Sequence, residues 1–269
     1  FARGLSTPLR KLAREMRRVG RGELGRSLQI RAPKEVHELA ESFNWMTDKL
    51  AELDELKSDF TAHVSHELRT PITTIAGFVE TLLDGALDNR EDAERFLRII
   101  QDNARRLNAL ITDLLALAGV EKDGEAGSIP LARLPLAPEL RAVIADRQAA
   151  AAAKGMPVSL ECPADVVADV NRGLFAQAVA NLLDNAIAYS DPGKPVRVVA
   201  SRQEREIRVA VVDQGKGIAA EHLGRLFERF YRVDRSRSRN VGGTGLGLAI
   251  VKHVAQAHRG RVDVQSVPG

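Results

Sequence analysis

His66 is followed at once by Glu67 and, one helical turn on, by Thr70, in the stretch FTAHVSHELRTPITTIAGFVET. Far downstream, Asn181 and Asn185 sit four apart in NLLDNA, ahead of DQGKG at 213–217 and GGTGLG at 242–247. Neutral imidazole is nucleophilic near its ordinary pKa of about 6.5, so an exposed histidine needs only mild activation to accept a phosphoryl group. An asparagine offers an oxygen to a hard cation such as Mg²⁺ and a nitrogen to a phosphate. Glycine-rich backbone, especially where it opens a helix, presents free amides to phosphate oxygens. Asp213 ends an apolar strand pattern, where its carboxylate can accept a hydrogen bond from an adenine amino group, and Gly215 and Gly217 let backbone approach the ring. Taken in order, these residues read as a phosphoacceptor followed by the ATP site that feeds it.

Positioning begins with a helix. At about 100° per residue, Leu56, Phe60, Val64, Leu68, Ile72, Ile75, Val79 and Leu82 fall within a stripe roughly 160° wide. His66 lies on the far side with Thr70 beside it. A core histidine would lie on the stripe, so His66 is expected in solvent; His63, nearer the apolar edge, reads as a satisfied, buried histidine. Pro71 cannot donate to the carbonyl of Glu67 and is expected to bend or loosen the helix just past His66. The pattern falters at Asp84-Gly85, and Asp88 with Glu91 forms a capping box for a second helix carrying Phe96, Ile99, Ile100, Leu107, Leu110, Leu114 and Leu117. One such hairpin cannot bury both stripes, whereas two form a four-helix bundle, which implies a homodimer.

Upstream, residues 1–50 read as two short amphipathic helices joined by a connector holding Gly20, Gly22, Gly25 and Pro33, the second helix running into the His66 helix without a breaker. Residues 120–135 read as a polar linker with a short strand. Beyond it, helices at about 138–154, 173–189 and 245–258 and strands at about 157–161, 196–201, 206–212 and from Arg261 give an α/β sandwich with helices on one face.

Composition narrows the class. The 269 residues carry 39 basic and 36 acidic side chains, a net charge of +3, too balanced to argue for nucleic acid. The single cysteine, Cys162, excludes an internal disulfide. No run of about 18 apolar residues is present to span a membrane. The chain opens mid-pattern and stops at SVPG, where one more strand is expected, so it reads as a fragment at both ends.

HELRTP, NLLDNA, DQGKG and GGTGLG in this order resemble the sensor histidine kinases of bacterial two-component signalling, and STPLRKL with KEVHELAESFNWM resembles a HAMP linker. The resemblance implies a HAMP-like segment at 1–52, a dimerisation and phosphotransfer hairpin at 53–119, a linker at 120–135, and at 136–269 a catalytic domain of the GHKL (Bergerat) α/β sandwich type lacking its last strand. It implies ATP-dependent phosphorylation of His66 and transfer to an aspartate of a response regulator. Glu67 would bond or deprotonate the ring, and Thr70 would place water for dephosphorylating the regulator. Asn185 would ligate Mg²⁺. Asn181, Tyr189, Asp213, Gly215, Gly217, Ile218, Arg232, Gly243, Thr244, Gly245, Leu246, Gly247 and Leu248 would hold the nucleotide. Ala188 stands where the family has Lys or Arg, so a phosphate contact is lost or comes from Arg232, Arg235 or Lys252. The aromatic turn at Phe227, Phe230 and Tyr231 would anchor an ATP lid, while arginines 229, 232, 235, 237 and 239 are either a solvated face or contacts to phosphate or an acidic partner. The full-length protein would be anchored by transmembrane helices outside this sequence, with this portion in the cytoplasm at the bacterial inner membrane.

Three other readings compete. A mechanical ATPase of the gyrase and chaperone superfamily shares the ATP boxes but has no use for an exposed His-Glu-x-x-Thr-Pro helix. A phosphatase-dominant sensor keeps every feature, and an inactive scaffold would keep only the dimer.

Overall fold

A computed structural model describes residues 2–25, 27–30, 32–125, 129–204, 206–233 and 243–268, with the backbone alone at 2–5 and 120–125. Gly242 and arginines 235, 237 and 239 therefore lie outside the described residues. The chain divides into two compact units, residues 1–69 and 70–269.

In the first unit, α1 (Ala2–Val19) and the start of α2 (Lys34–Leu83) flank an extended connector. Leu12, Leu28, Ala40 and Phe43 are buried together, with Val19 and Ile30 packed against them. The connector is pinned by one side chain: Asn44 Oδ1 accepts from Leu28 N–H at 2.7 Å, and its Nδ2 donates to Leu28 O at 3.1 Å. Two bonds to one backbone residue fix the register of an otherwise irregular segment.

The second helix is 50 residues long and runs through Pro71 without interruption. It joins the second upstream helix to the His66 helix, as the unbroken pattern implied, and passes Gly77 before Gly85, whose φ of 120° no other residue adopts comfortably. Its apolar stripe is not covered within one chain: Leu56 and Ile72 are 57% and 51% exposed, and Leu115 on the following helix is 70% exposed.

In the second unit, α3 (Arg90–Glu125) follows a 3₁₀ turn at Ala86–Asp88. The expected capping box is not what starts it. Asn89 does, its Oδ1 accepting from Glu91 N–H at 3.1 Å, because the 3₁₀ turn takes up Asp88 and shifts the cap by one residue. The helix also continues past Gly119, where the sequence suggested a linker; one glycine costs about 1 kcal/mol, too little to end a 36-residue helix. Phe78 meets Phe96 across the hairpin with ring centroids 5.1 Å apart.

The remaining elements form two layers. A three-stranded sheet has β4 (Val196–Gln203) at its centre, parallel to β2 (Val158–Glu161) and antiparallel to β5 (Glu206–Val212). β1 (Ala132–Pro135) pairs antiparallel with β3 (Val167–Val170), a strand too short and too polar to stand out in the sequence. Against the sheet lie α4 (Leu136–Ala153) and α5 (Arg172–Tyr189), followed by the short α6 (Ala220–Leu223) and by α7 (Gly247–Ala257). Leu140, Leu183, Val196 and Val198 are fully buried at the centre of this core. No strand forms after Arg261 among the described residues; that segment is held to β5 by a paired contact of Arg261 with Glu206, at 2.9 and 3.0 Å, rather than by a backbone ladder.

Leu183→Ala should cost about 2–5 kcal/mol of stability, because it opens a cavity under a helix whose neighbours are already packed. A denaturant midpoint that stays put would contradict this placement of the core.

Candidate phosphoacceptor and nucleotide site

On α2, the His66 side chain is 75% exposed, and its Nδ1 lies 3.8 Å from Glu67 Oε1. Helical periodicity puts Thr70 one turn further along the same face. His63 is also exposed rather than buried. Its Nδ1 donates to Asp59 O at 2.8 Å, so it is satisfied by its own helix instead of a core.

The second group is assembled by α5 and α7. Asn171 caps α5, accepting from Leu174 N–H at 3.1 Å, while its own N–H donates to His258 Nε2 at 2.9 Å. His258 Nδ1 in turn donates to Val254 O at 2.7 Å, so the ring is the neutral tautomer that ties the two helices together. Asn181, nearly three turns along α5, donates from Nδ2 to Gly247 O at 3.2 Å and so fixes where α7 begins. Leu246 ahead of it is fully buried and supplies no side-chain cap. The first-turn amides of α7 thus carry no side-chain cap from Leu246, at the positive end of the helix dipole. Asn185, one turn past Asn181, is half-buried.

The glycines show how closely this loop is fitted. A Cβ on Gly243 would meet the Tyr189 hydroxyl at 3.5 Å and an Arg232 nitrogen at 3.6 Å. Arg232 donates to Gly243 O, so its cation lies at this loop. Gly245 has φ 77°, its carbonyl accepts from Phe230 N–H at 2.9 Å, and a Cβ there would crowd Phe230 at 3.0 Å. Next along the aromatic turn, the Tyr231 hydroxyl is 2.7 Å from His222 Nδ1, and Arg225 stacks 4.3 Å above its ring.

At the end of β5, Asp213 Oδ1 accepts from Gly215 N–H at 2.8 Å, and Gly215 bridges to Ser190 just after α5. A Cβ on Gly215 would lie 3.1 Å from Tyr189 O. Gly217 has φ 69° and faces the Val267 carbonyl, and Ile218 N–H donates to Ser266 Oγ at 2.9 Å. Asn181 thus contacts Gly247, Tyr189 lies beside Gly215 and Gly243, and Leu248 lies in the first turn of α7. Backbone amides, glycine cradles, an arginine and a hard amide oxygen are the donors that a magnesium–triphosphate requires, so these residues fit such a ligand.

Three residues had no signal in the sequence reading. Lys154 caps the end of α5, donating to the carbonyls of Ile187 and Ala188 at 2.7 and 3.0 Å. His222 steadies Tyr231, as above. Asp113, a lone acid in the apolar run LITDLL, reaches from α3 to accept from Thr244 Oγ1 at 2.6 Å. Burial pushes the Asp113 carboxyl above its ordinary range and the Asp184 carboxylate adds to this, while the Thr244 bond opposes it.

Known proteins match the chain in three stretches. Residues 1–52 match the HAMP domain, 56–122 the His Kinase A (phospho-acceptor) domain, and 170–269 the histidine kinase-, DNA gyrase B- and HSP90-like ATPase. The phosphate regulon sensor protein PhoR of Pseudomonas aeruginosa is 41% identical over 82% of this chain and 49% of its own length. The sensor protein SrrB of Staphylococcus aureus is 36% identical over 81% of this chain and 37% of its own. The chain thus spans about half or less of these curated relatives. The structure of the histidine kinase AdeS of Acinetobacter baumannii is similar with a TM-score of 0.57 at 26% identity, over 71% of this chain and 86% of that one.

Gly217→Ala is expected to destabilise the chain by roughly 1–3 kcal/mol, since the methyl group meets both a positive φ and a backbone carbonyl. Thermal unfolding measures it, and an unchanged midpoint would mean that the loop does not adopt this conformation.

Proposed function

We infer that this chain, which belongs to the sensor histidine kinases of two-component signalling, phosphorylates its own His66 from ATP and passes the phosphoryl group to an aspartate of a response regulator. The observation that carries this reading is His66 itself, exposed on an unbroken helix with the Glu67 carboxylate beside its ring.

The proposed chemistry uses few groups. A ring nitrogen of His66 attacks the γ-phosphorus, the bond to the β-phosphate oxygen breaks, and ADP departs. Glu67 takes the proton that the ring releases, or holds the ring nitrogen that does not react. Positioning and charge neutralisation supply most of the rate in such transfers. Asn185 would hold Mg²⁺ through its amide oxygen, and the bound cation would supply positive charge to offset that of the triphosphate. Asp213 accepts from the adenine amino group, with Gly215, Gly217 and Ile218 against the ring. Asn181, Tyr189, Arg232 and residues 243–248 hold the ribose-triphosphate side. The phosphoramidate on His66 is labile and transfers readily to a carboxylate. Thr70 places water for the reverse task, hydrolysis of the regulator's acyl phosphate.

The domain division that accompanies this reading is 1–52, 53–119, 120–135 and 136–269, working as a homodimer through the exposed stripes of α2 and α3. No described helix is long and apolar enough to cross a membrane. Anchoring is assigned to transmembrane helices outside this sequence, with this portion on the cytoplasmic side of the inner membrane.

Incubation with γ-labelled ATP and Mg²⁺ tests the reading. Wild type should acquire acid-labile, base-stable label; His66→Gln should acquire none, and Asn185→Ala at least about a hundredfold less, the scale of a lost transition-state contact. Equal labelling of wild type and His66→Gln would rule out His66 as the acceptor. ATP turnover with no phosphohistidine would favour a mechanical ATPase, and regulator dephosphorylation alone a phosphatase-dominant sensor.

A further inference from the structure

The Asp113–Thr244 bond joins residues 131 apart in sequence, one on the hairpin helix α3 and the other in the glycine loop ahead of α7. The Thr244 hydroxyl is used in both directions. It donates to Asp113 Oδ2 at 2.6 Å and accepts from Leu246 N–H at 3.2 Å. The Leu246 amide, which would otherwise be open to a phosphate in this loop, is thereby occupied.

The charge placed here is of the wrong sign for a loop that receives phosphate. Asp113 is half-buried and lines a cleft of about 600 Å³ between α3, α4 and α5, together with Asn181 and Asp184. Asp184 is paired with Arg147 at 3.4 Å, whereas Asp113 is held by a neutral hydroxyl, which leaves its charge uncancelled by that contact. A carboxylate and a triphosphate brought to one amide-rich loop repel each other, and in a partly buried site that repulsion is weakly screened.

We propose that Asp113 is a nucleotide-sensitive latch, its carboxylate competing with nucleotide phosphate for the loop at 243–247, so that nucleotide binding and the Asp113–Thr244 contact exclude each other. The latched state draws the glycine loop onto α3 and keeps the nucleotide site in a low-affinity form. Nucleotide binding releases α3 and frees the Leu246 amide. This rests on the assignment of that loop to nucleotide phosphates, made above.

Calorimetric titration of the full 269-residue chain with Mg·ADP tests the latch in wild type, Asp113→Asn, Asp113→Ala and Asn185→Ala. Asp113→Ala should bind about tenfold tighter, the scale of a charge-assisted hydrogen bond. Asp113→Asn should fall between, because its amide oxygen still accepts from Thr244 without the charge. Hydrogen exchange provides the second measurement: Mg·ADP should speed exchange of the α3 amides around Asp113 in wild type and have no such effect in Asp113→Ala. Unchanged or weaker affinity in both Asp113 variants, with Asn185→Ala still impaired, would overturn the latch alone. Absence of Mg·ADP binding in wild type and both Asp113 variants would overturn the site assignment and the latch together. Tighter binding in Asp113→Ala with no change in α3 exchange on adding Mg·ADP would also overturn it, since release of the helix is part of the proposal.

Discussion

The uncapped start of α7 is the constraint on which the rest of this architecture depends. A helix that starts without a side-chain cap gives up a hydrogen bond that usually holds its end. Something else must hold it. Here the body of α7 is sunk into the core, with Ala249 and Ile250 fully buried and Val254 nearly so. At its start Leu246 is buried and Asn181 holds the Gly247 carbonyl. At its far end His258 bonds back to the start of α5. Two antiparallel ties on one neighbouring helix fix both the position and the axis of α7, which its eleven residues could not do by helical propensity alone.

That arrangement explains why the loops around it are glycine. Gly215, Gly217 and Gly245 each face backbone or side-chain atoms at distances where a methyl group has little or no room. Close approach is what lets Tyr189, Arg232 and the loop backbone share one small region. The same crowding makes a single carboxylate from α3 consequential, because Asp113 meets the loop at the hydroxyl that also controls the Leu246 amide.

The helical part of the chain follows a different economy. Its apolar residues at helical spacing were expected to form a stripe, and the stripe is there on α2 and α3. Two of its members on α2, Leu56 and Ile72, are more than half exposed in one chain. Burying such a stripe against a second copy is the usual solution for a hairpin of this length. The connector in the first unit was legible only as glycines and a proline. That Asn44 would hold it by two backbone bonds was not, since an asparagine in a polar helical position looks the same whether it is solvated or spent on a distant backbone.

Much of this protein was determined by its sequence alone. The helix that presents His66, the paired asparagines on α5, the strand ending at Asp213 and the helix after GGTGLG all follow from signals that act within one or two turns: apolar periodicity, glycine at positive φ, and side-chain types suited to a cation or phosphate. Local errors were of the same short range. Asn89 caps α3 instead of Asp88, α3 passes Gly119, β3 escaped notice, and the segment after Arg261 forms no ladder. What the tertiary structure alone decided is which distant groups meet. Asn181 with Gly247, Asn171 with His258, and Asp113 with Thr244 lie 66, 87 and 131 residues apart. A hydrogen bond across that separation leaves no periodic trace in the chain, because the geometry that makes it comes from the packing of whole helices and not from the residues between its ends.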